Sequence, residues 1–157
     1  MGRTRDREGG QPEHGHKLKL LVWNVHGIGG RSADANTELK IIDLCSMVKL
    51  HDITVLTETR TSDASRLLQH LPGFTVHNIK LDKGNEGKNG HGIAVLVAPS
   101  CSDYVCVLNT SENVQYIWLQ CDKKMFGLEG DVIVGAVYIN PQSRDLFSCS
   151  CHSNSFH

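Results

Sequence analysis

The chain has 157 residues, of which 39% are apolar and 21% charged. That length predicts one domain with a hydrophobic core, and the composition excludes wholesale disorder. The formal net charge is −1, so no global positive field would draw the chain to nucleic acid, and a polynucleotide would have to meet a local basic patch.

Residues 1–16 are polar, with Gly9, Gly10, Pro12 and Gly15 and no periodicity, and are expected to be a disordered lead-in. Arg3, Arg5 and Arg7 are diluted by Asp6 and Glu8, so a solvated tail is the main reading and a nuclear address the alternative. No apolar stretch follows these positive residues as it would in a secretory signal. No run anywhere approaches the roughly 20 apolar residues needed to span a bilayer. An intracellular protein of nucleus or cytoplasm is expected, not secreted and with no membrane partner. The six cysteines are then expected to be reduced, with Cys45 and Cys121 as small apolar fillers.

Leu18 to Val25 is short, apolar and β-prone, and the Gly27-Ile-Gly-Gly30 turn ends it, so it predicts a buried strand. Thr37 to Leu50 has helical periodicity. Leu39, Ile42, Met47 and Leu50, with Ile41, Leu44 and Val48 beside them, form its expected apolar face. Asp34 or Asn36 could cap it. Asp52 to Leu56 reads as a second buried strand. Strand, helix and strand within about 40 residues make a βαβ unit, whose strands run parallel. Ligands of such sheets gather at the carboxyl ends of the strands. Asn24 and Glu58 each fall at or just past such an end, so they are expected on one rim.

Asp63 to His70 predicts a short helix that stops before Pro72-Gly73. Phe74 to Ile79 predicts a strand, and Lys80 to Asn89 an exposed, solvated loop. Gly92 to Ala98 predicts another buried strand, followed by strands at Tyr104 to Leu108, Val114 to Gln120 and Asp131 to Tyr138, with a turn over 122–130. Consecutive strands without helices predict antiparallel pairing. The tail, Ser148 to His157, has no Asp, Glu, Lys or Arg and no periodicity. Its Cys149-Ser-Cys151-His152 lacks the usual zinc-knuckle spacing, and the tail reads as an unstructured gene end foreign to the fold.

Four patterns lie in order on this framework: Val22-Trp-Asn-Val25, Asp52-Ile-Thr-Val-Leu-Thr-Glu-Thr59, Gly90-His-Gly-Ile-Ala-Val-Leu96 and Val137-Tyr-Ile-Asn-Pro141. Together they resemble the endonuclease/exonuclease/phosphatase superfamily, and within it most nearly the endonuclease domains of non-LTR retrotransposons. The resemblance implies an α/β fold: part of a deoxyribonuclease I-like two-sheet sandwich with a mixed sheet and its C-terminal half missing. It divides the chain into a 1–16 tail, a partial domain over 17–144 and an aberrant 145–157 tail. It implies Mg²⁺ or Mn²⁺ as cofactor, nucleic acid (DNA foremost) as partner, and metal-dependent phosphodiester hydrolysis as the family reaction.

By the same resemblance Glu58 is the metal ligand, Asn24 orients the metal-binding carboxylates and contacts phosphate, and Tyr138 hydrogen-bonds a phosphate oxygen. The chemistry suits these types. Mg²⁺ takes oxygen ligands and keeps several waters, while an amide and a phenol donate to phosphate without a competing charge. The family's general base and second carboxylates belong to motifs that the 16 residues after Pro141 do not supply. The chain alone is therefore expected to be inactive, a truncated hydrolase. A non-catalytic nucleic-acid- or phosphate-binding module is the alternative. The single sheet expected of such a half would leave an apolar face exposed. His26 is expected as an exposed turn residue, with a phosphate contact as the alternative, and His91 as structural.

Overall fold

The computed structural model describes residues 17–28, 35–79, 81, 91–111 and 115–139. The 1–16 lead-in, Asp34, the Lys80 to Asn89 loop apart from Leu81, Asn140, Pro141 and the 145–157 tail lie outside the described residues.

Strand β1 (Leu20–Asn24) leads through helix α1 (Ala35–Val48) to β2 (Ile53–Thr57), and the two strands pair in parallel. The βαβ unit is therefore present as expected. Helix α2 (Ser65–His70) and strands β3 (Thr75–Asn78) and β4 (Ile93–Val97) follow. Strand β4 lies between β2 and β3, antiparallel to both, so the first sheet is mixed with order β1-β2-β4-β3. A second, antiparallel sheet is made by β5 (Val105–Ser111), β6 (Tyr116–Cys121) and β7 (Val132–Val137), in that order.

Strands β2 and β4 are buried along their whole length, because one face of each meets the helices and the other meets the second sheet. Ile53, Val55, Ile93, Val95 and Val97 pack with Ile117, Leu119, Cys121 and Ala136. The alternate residues Leu56, Ala94 and Leu96 pack with Ile41, Leu44, Cys45, Val48 and Leu67. Burial on both faces explains why the two strands read as unbroken apolar runs. The result is three layers: helices, mixed sheet, antiparallel sheet.

Four expectations are corrected. Strand β1, expected to be buried, has four of its five residues exposed, because it stands at the edge of the mixed sheet. The antiparallel strands do not simply extend the first sheet; β5 to β7 form their own and cover the inner face of the mixed sheet, which is not left bare. Helix α1 buries Ile41, Leu44, Cys45 and Val48, while Leu39, Ile42, Met47 and Leu50 are exposed. The buried set follows i, i+3, i+4, i+7; Leu39, Ile42 and Met47 lie on the opposite side of the same helix, and Leu50 follows its end. Asn36 lies inside α1, so it is not the residue that caps it. Among the described residues no helix is long and apolar enough to cross a membrane.

Candidate functional site

Parallel pairing sets Asn24 opposite Thr57 at the ends of β1 and β2. Asn24 and Glu58 therefore arrive together at the carboxyl rim of the mixed sheet. Tyr138 arrives from the other sheet, one residue past β7.

The three side chains meet on one oxygen. Glu58 Oε1 accepts a hydrogen bond from Asn24 Nδ2 at 2.8 Å and another from the Tyr138 hydroxyl at 2.7 Å. Glu58 Oε2 lies 3.4 Å from His26 Nδ1 and 3.5 Å from Arg60 Nη2. Glu58 is only 9% exposed, so these contacts act where water screens them least.

The backbone here is unusual. His26, Glu58 and Arg60 have φ of 48°, 54° and 58°, left-handed values that cost an L-residue of order 1–3 kcal/mol unless the surroundings enforce them. The enforcement is visible. The β1–β2 ladder runs on past the strands: Gly27 N donates to Glu58 O at 2.7 Å, and Ile28 N to Thr59 O at 3.0 Å. On the other side Thr59 N donates to Gly92 O at 3.2 Å and Arg60 N to His91 O at 2.9 Å. The Asn24 side chain closes its own turn, with Oδ1 accepting from His26 N at 3.2 Å. From α1, Lys40 Nζ donates to Val25 O and, at 3.0 Å, to Gly27 O. Burial, and then the charge of Arg60, hold the Lys40 ammonium below its ordinary pKa.

Tyr138 has its pKa pushed up to about 12. Burial is the largest cause, followed by the hydrogen bond to Glu58 and the Glu58 charge, with Arg60 pulling the other way. The phenol keeps its proton throughout the neutral range and acts as a donor.

Asn24, Glu58 and Tyr138 are thus brought together. His26 is an exposed turn residue, and its ring also reaches the carboxylate. His91 lies beside the site through its carbonyl, which receives Arg60 N. Sequence reasoning gave no role to three neighbours. Arg60 stands two residues after Glu58, inside the quoted acidic motif's immediate continuation, so its position was readable. Lys40 reads as a solvent-side lysine of a helix. Gln115 belongs to no motif; its Oε1 accepts from Gly92 N at 2.6 Å. Among the described residues no group of three or more His, Cys, Asp or Glu side chains is placed to hold a metal.

The chain is similar in fold to D. rerio TDP2 humanized by 14 mutations, at 18% identity and a TM-score of 0.40, over 66% of this chain and 41% of that one. It is also similar to the human Nocturnin catalytic domain with bound sulfate anion, at 16% identity and a TM-score of 0.45, over 75% of this chain and 48% of that one. The chain spans less than half the length of either. No curated protein sequence matches it. Residues 21–116 match the Endonuclease/Exonuclease/phosphatase family, a stretch that runs from β1 to the start of β6 and includes Asn24 and Glu58. The chain belongs to the endonuclease/exonuclease/phosphatase family.

Proposed function

We propose that the Asn24–Glu58–Tyr138 rim is the metal- and phosphate-binding side of a phosphodiesterase site of the endonuclease type, with DNA as the foremost substrate. One observation carries this reading: donors from two different sheets, Asn24 Nδ2 and the Tyr138 hydroxyl, converge on Glu58 Oε1. Residues 17–144 would then form a partial domain of the family. The likeness of the four motifs to retrotransposon endonucleases supports DNA over other phosphodiesters.

The donor set suits Mg²⁺ or Mn²⁺. It offers the Glu58 carboxylate, an oxygen donor of the hard kind, and such a cation is commonly held by one or two carboxylates with water and phosphate oxygens around it. Glu58 would hold the metal, which when bound polarises a phosphoryl oxygen and neutralises charge on the leaving one. Asn24 fixes the orientation of the Glu58 carboxylate through its Nδ2. Tyr138, whose raised pKa keeps the phenol protonated at neutral pH, would turn its single O–H from Glu58 Oε1 to a phosphate oxygen when substrate is bound. Arg60 supplies permanent positive charge on the Oε2 side of Glu58.

Addition of Mg²⁺ to the purified chain is expected to shift the Asn24 side-chain amide and the Gly27 and Thr59 backbone amides in NMR spectra, with saturation. Glu58→Gln should abolish these shifts; shifts that persist in the variant, or that never develop, would overturn the reading. Binding of a short DNA duplex should weaken as salt rises, and no binding at low salt would reject the nucleic-acid part.

The single carboxylate at the rim, without a metal-holding cluster among the described residues, favours a second reading as a binding module. A positioned general base contributes roughly 10²–10⁴-fold, and the described residues place none beside Glu58 that the family motifs identify. Plasmid and Mg²⁺ distinguish the two readings. Negligible nicking is expected from this chain, whereas nicking that disappears in Glu58→Ala would establish it as an enzyme in its own right.

A further inference from the structure

We infer that Gln115 is a positioning residue, whose backbone and side chain together lock the antiparallel sheet to the mixed sheet so that Tyr138 meets Glu58. This rests on the reading of Glu58 and Tyr138 as parts of one site.

The need for such a lock comes from the fold. Glu58 follows β2 of the mixed sheet, and Tyr138 follows β7 of the antiparallel one, 80 residues later. The layer between them is apolar, made by side chains such as Val95, Ile117, Leu119 and Ala136. Apolar contact is non-directional, so it holds two sheets together without fixing how far one has slid along the other. The Tyr138–Glu58 bond is 2.7 Å long, and a hydrogen bond is lost within about 1 Å of added length. Something directional must set the offset.

Gln115 is placed to do so at both ends. Its backbone carbonyl accepts from Tyr138 N at 2.9 Å. Its side-chain Oε1 accepts from Gly92 N at 2.6 Å, and its Nε2 lies 3.4 Å from His91 Nδ1. Gly92 O and His91 O in turn receive Thr59 N and Arg60 N, the two amides that follow Glu58. The connections close on themselves: Glu58 to Thr59, Thr59 to Gly92, Gly92 to Gln115, Gln115 to Tyr138, and Tyr138 back to Glu58. Gln115 is buried, so water does not readily replace it in this ring.

The close approach at Gly92 completes the case. Gly92 has φ of +96°, and a Cβ there would stand 2.2 Å from Thr59 Oγ1 and 3.0 Å from Arg60 N. Backbone rests directly on backbone at this point, so a shift at Gly92 passes to Glu58 with little slack.

A satisfied buried glutamine with no other part to play would lower stability when removed and leave the Tyr138–Glu58 interaction unchanged. Double-mutant cycles separate the two cases. In the full wild-type chain, Tyr138→Phe and Glu58→Gln should couple by roughly tenfold or more in the unfolding equilibrium constant, as expected of a hydrogen bond to a charged group. In the Gln115→Met background the coupling should fall below about twofold, the scatter of independent sites. Gln115→Glu keeps an oxygen where Oε1 stands and should restore it. Coupling that persists in Gln115→Met, or that Gln115→Glu fails to restore, would overturn the inference. Should Gln115→Met not fold, the same cycle is run in Gln115→Asn, whose amide is one methylene too short to reach Gly92 N. Coupling that persists there would overturn the inference. NMR of the wild type checks the bond itself. A scalar coupling across the hydrogen bond from Gly92 N to the Gln115 side-chain carbonyl carbon is expected, and its absence would overturn the inference. Neither measurement uses metal, phosphate or hydrolysis, so failure here is distinct from failure of the functional reading.

Discussion

Glu58 and Tyr138 make a proton-dependent pair whose behaviour follows from the geometry. The folded state raises the Tyr138 pKa from 10.0 to about 12, so the folded chain holds the phenolic proton more tightly than the unfolded one. The stability this contributes is fully present below about pH 10 and is lost as pH rises through about 12. Two results are expected. The ring carbon resonance of Tyr138 should titrate at lower pH in Glu58→Gln, where the carboxylate's charge is gone while burial still raises it. In Tyr138→Phe, the fall in stability between pH 10 and 12 should be shallower than in the wild type. At Gly92 the close contact makes a sharper prediction. Gly92→Ala places a side chain at φ +96° and against Thr59 Oγ1, and should destabilise by about 1–3 kcal/mol in denaturant unfolding. Legibility also divides at this scale. Asn24, Glu58 and Tyr138 could be singled out because each stands in a motif that resembles the family's. Gln115 could not, because a glutamine before a strand carries no pattern, and its meaning comes from Gly92, 23 residues away.

Helix α1 shows why a helix can be legible in extent yet misread in orientation. Its sequence is apolar on two sides, and periodicity alone does not say which side meets the sheet. The side with Ile41, Leu44, Cys45 and Val48 won because it is the narrower, unbroken stripe that fits over Leu56, Ala94 and Leu96. The two sides should respond differently to substitution. Ile41→Ala removes a fully buried side chain and should cost about 2–5 kcal/mol in urea unfolding. Leu50→Lys, at a position 63% exposed, should stay within about 0.5 kcal/mol of the wild type. Strand β2 offers the opposite sign of effect. Thr54 is buried on the helix-facing side, and its Oγ1 has no hydrogen-bond partner among the described residues. An unsatisfied buried hydroxyl costs about 1–3 kcal/mol. Thr54→Val keeps the shape and deletes the hydroxyl, so it should raise the unfolding midpoint; a lowered midpoint would show that the hydroxyl is satisfied in solution.

At the scale of the whole molecule, the strands were legible one by one but their grouping into sheets was not. The apolar runs of β4 and β6 are alike in the sequence, yet β4 inserts between β2 and β3 while β6 joins β5 and β7. Strand pairing is decided by which faces can be covered at once, and that is a property of all three layers together. The parallel pair was legible because a helix of the right length separates its strands. The same arrangement leaves a weak point at one edge. Among the described residues β1 has β2 as its only neighbour, and Leu20, Val22 and Trp23 are exposed along it. A free, apolar edge strand is a template for pairing with another chain, in contrast to the covered strands β2 and β4. Self-association of the chain in solution is therefore expected to begin at β1. Val22 is 64% exposed, so Val22→Lys gives up little burial while placing a charge on the edge. Light scattering at matched concentration should fall in Val22→Lys, with an unfolding midpoint close to that of the wild type. Scattering that is unchanged in Val22→Lys but falls in Ile133→Lys, on the exposed face of β7, would move the point of association to the antiparallel sheet.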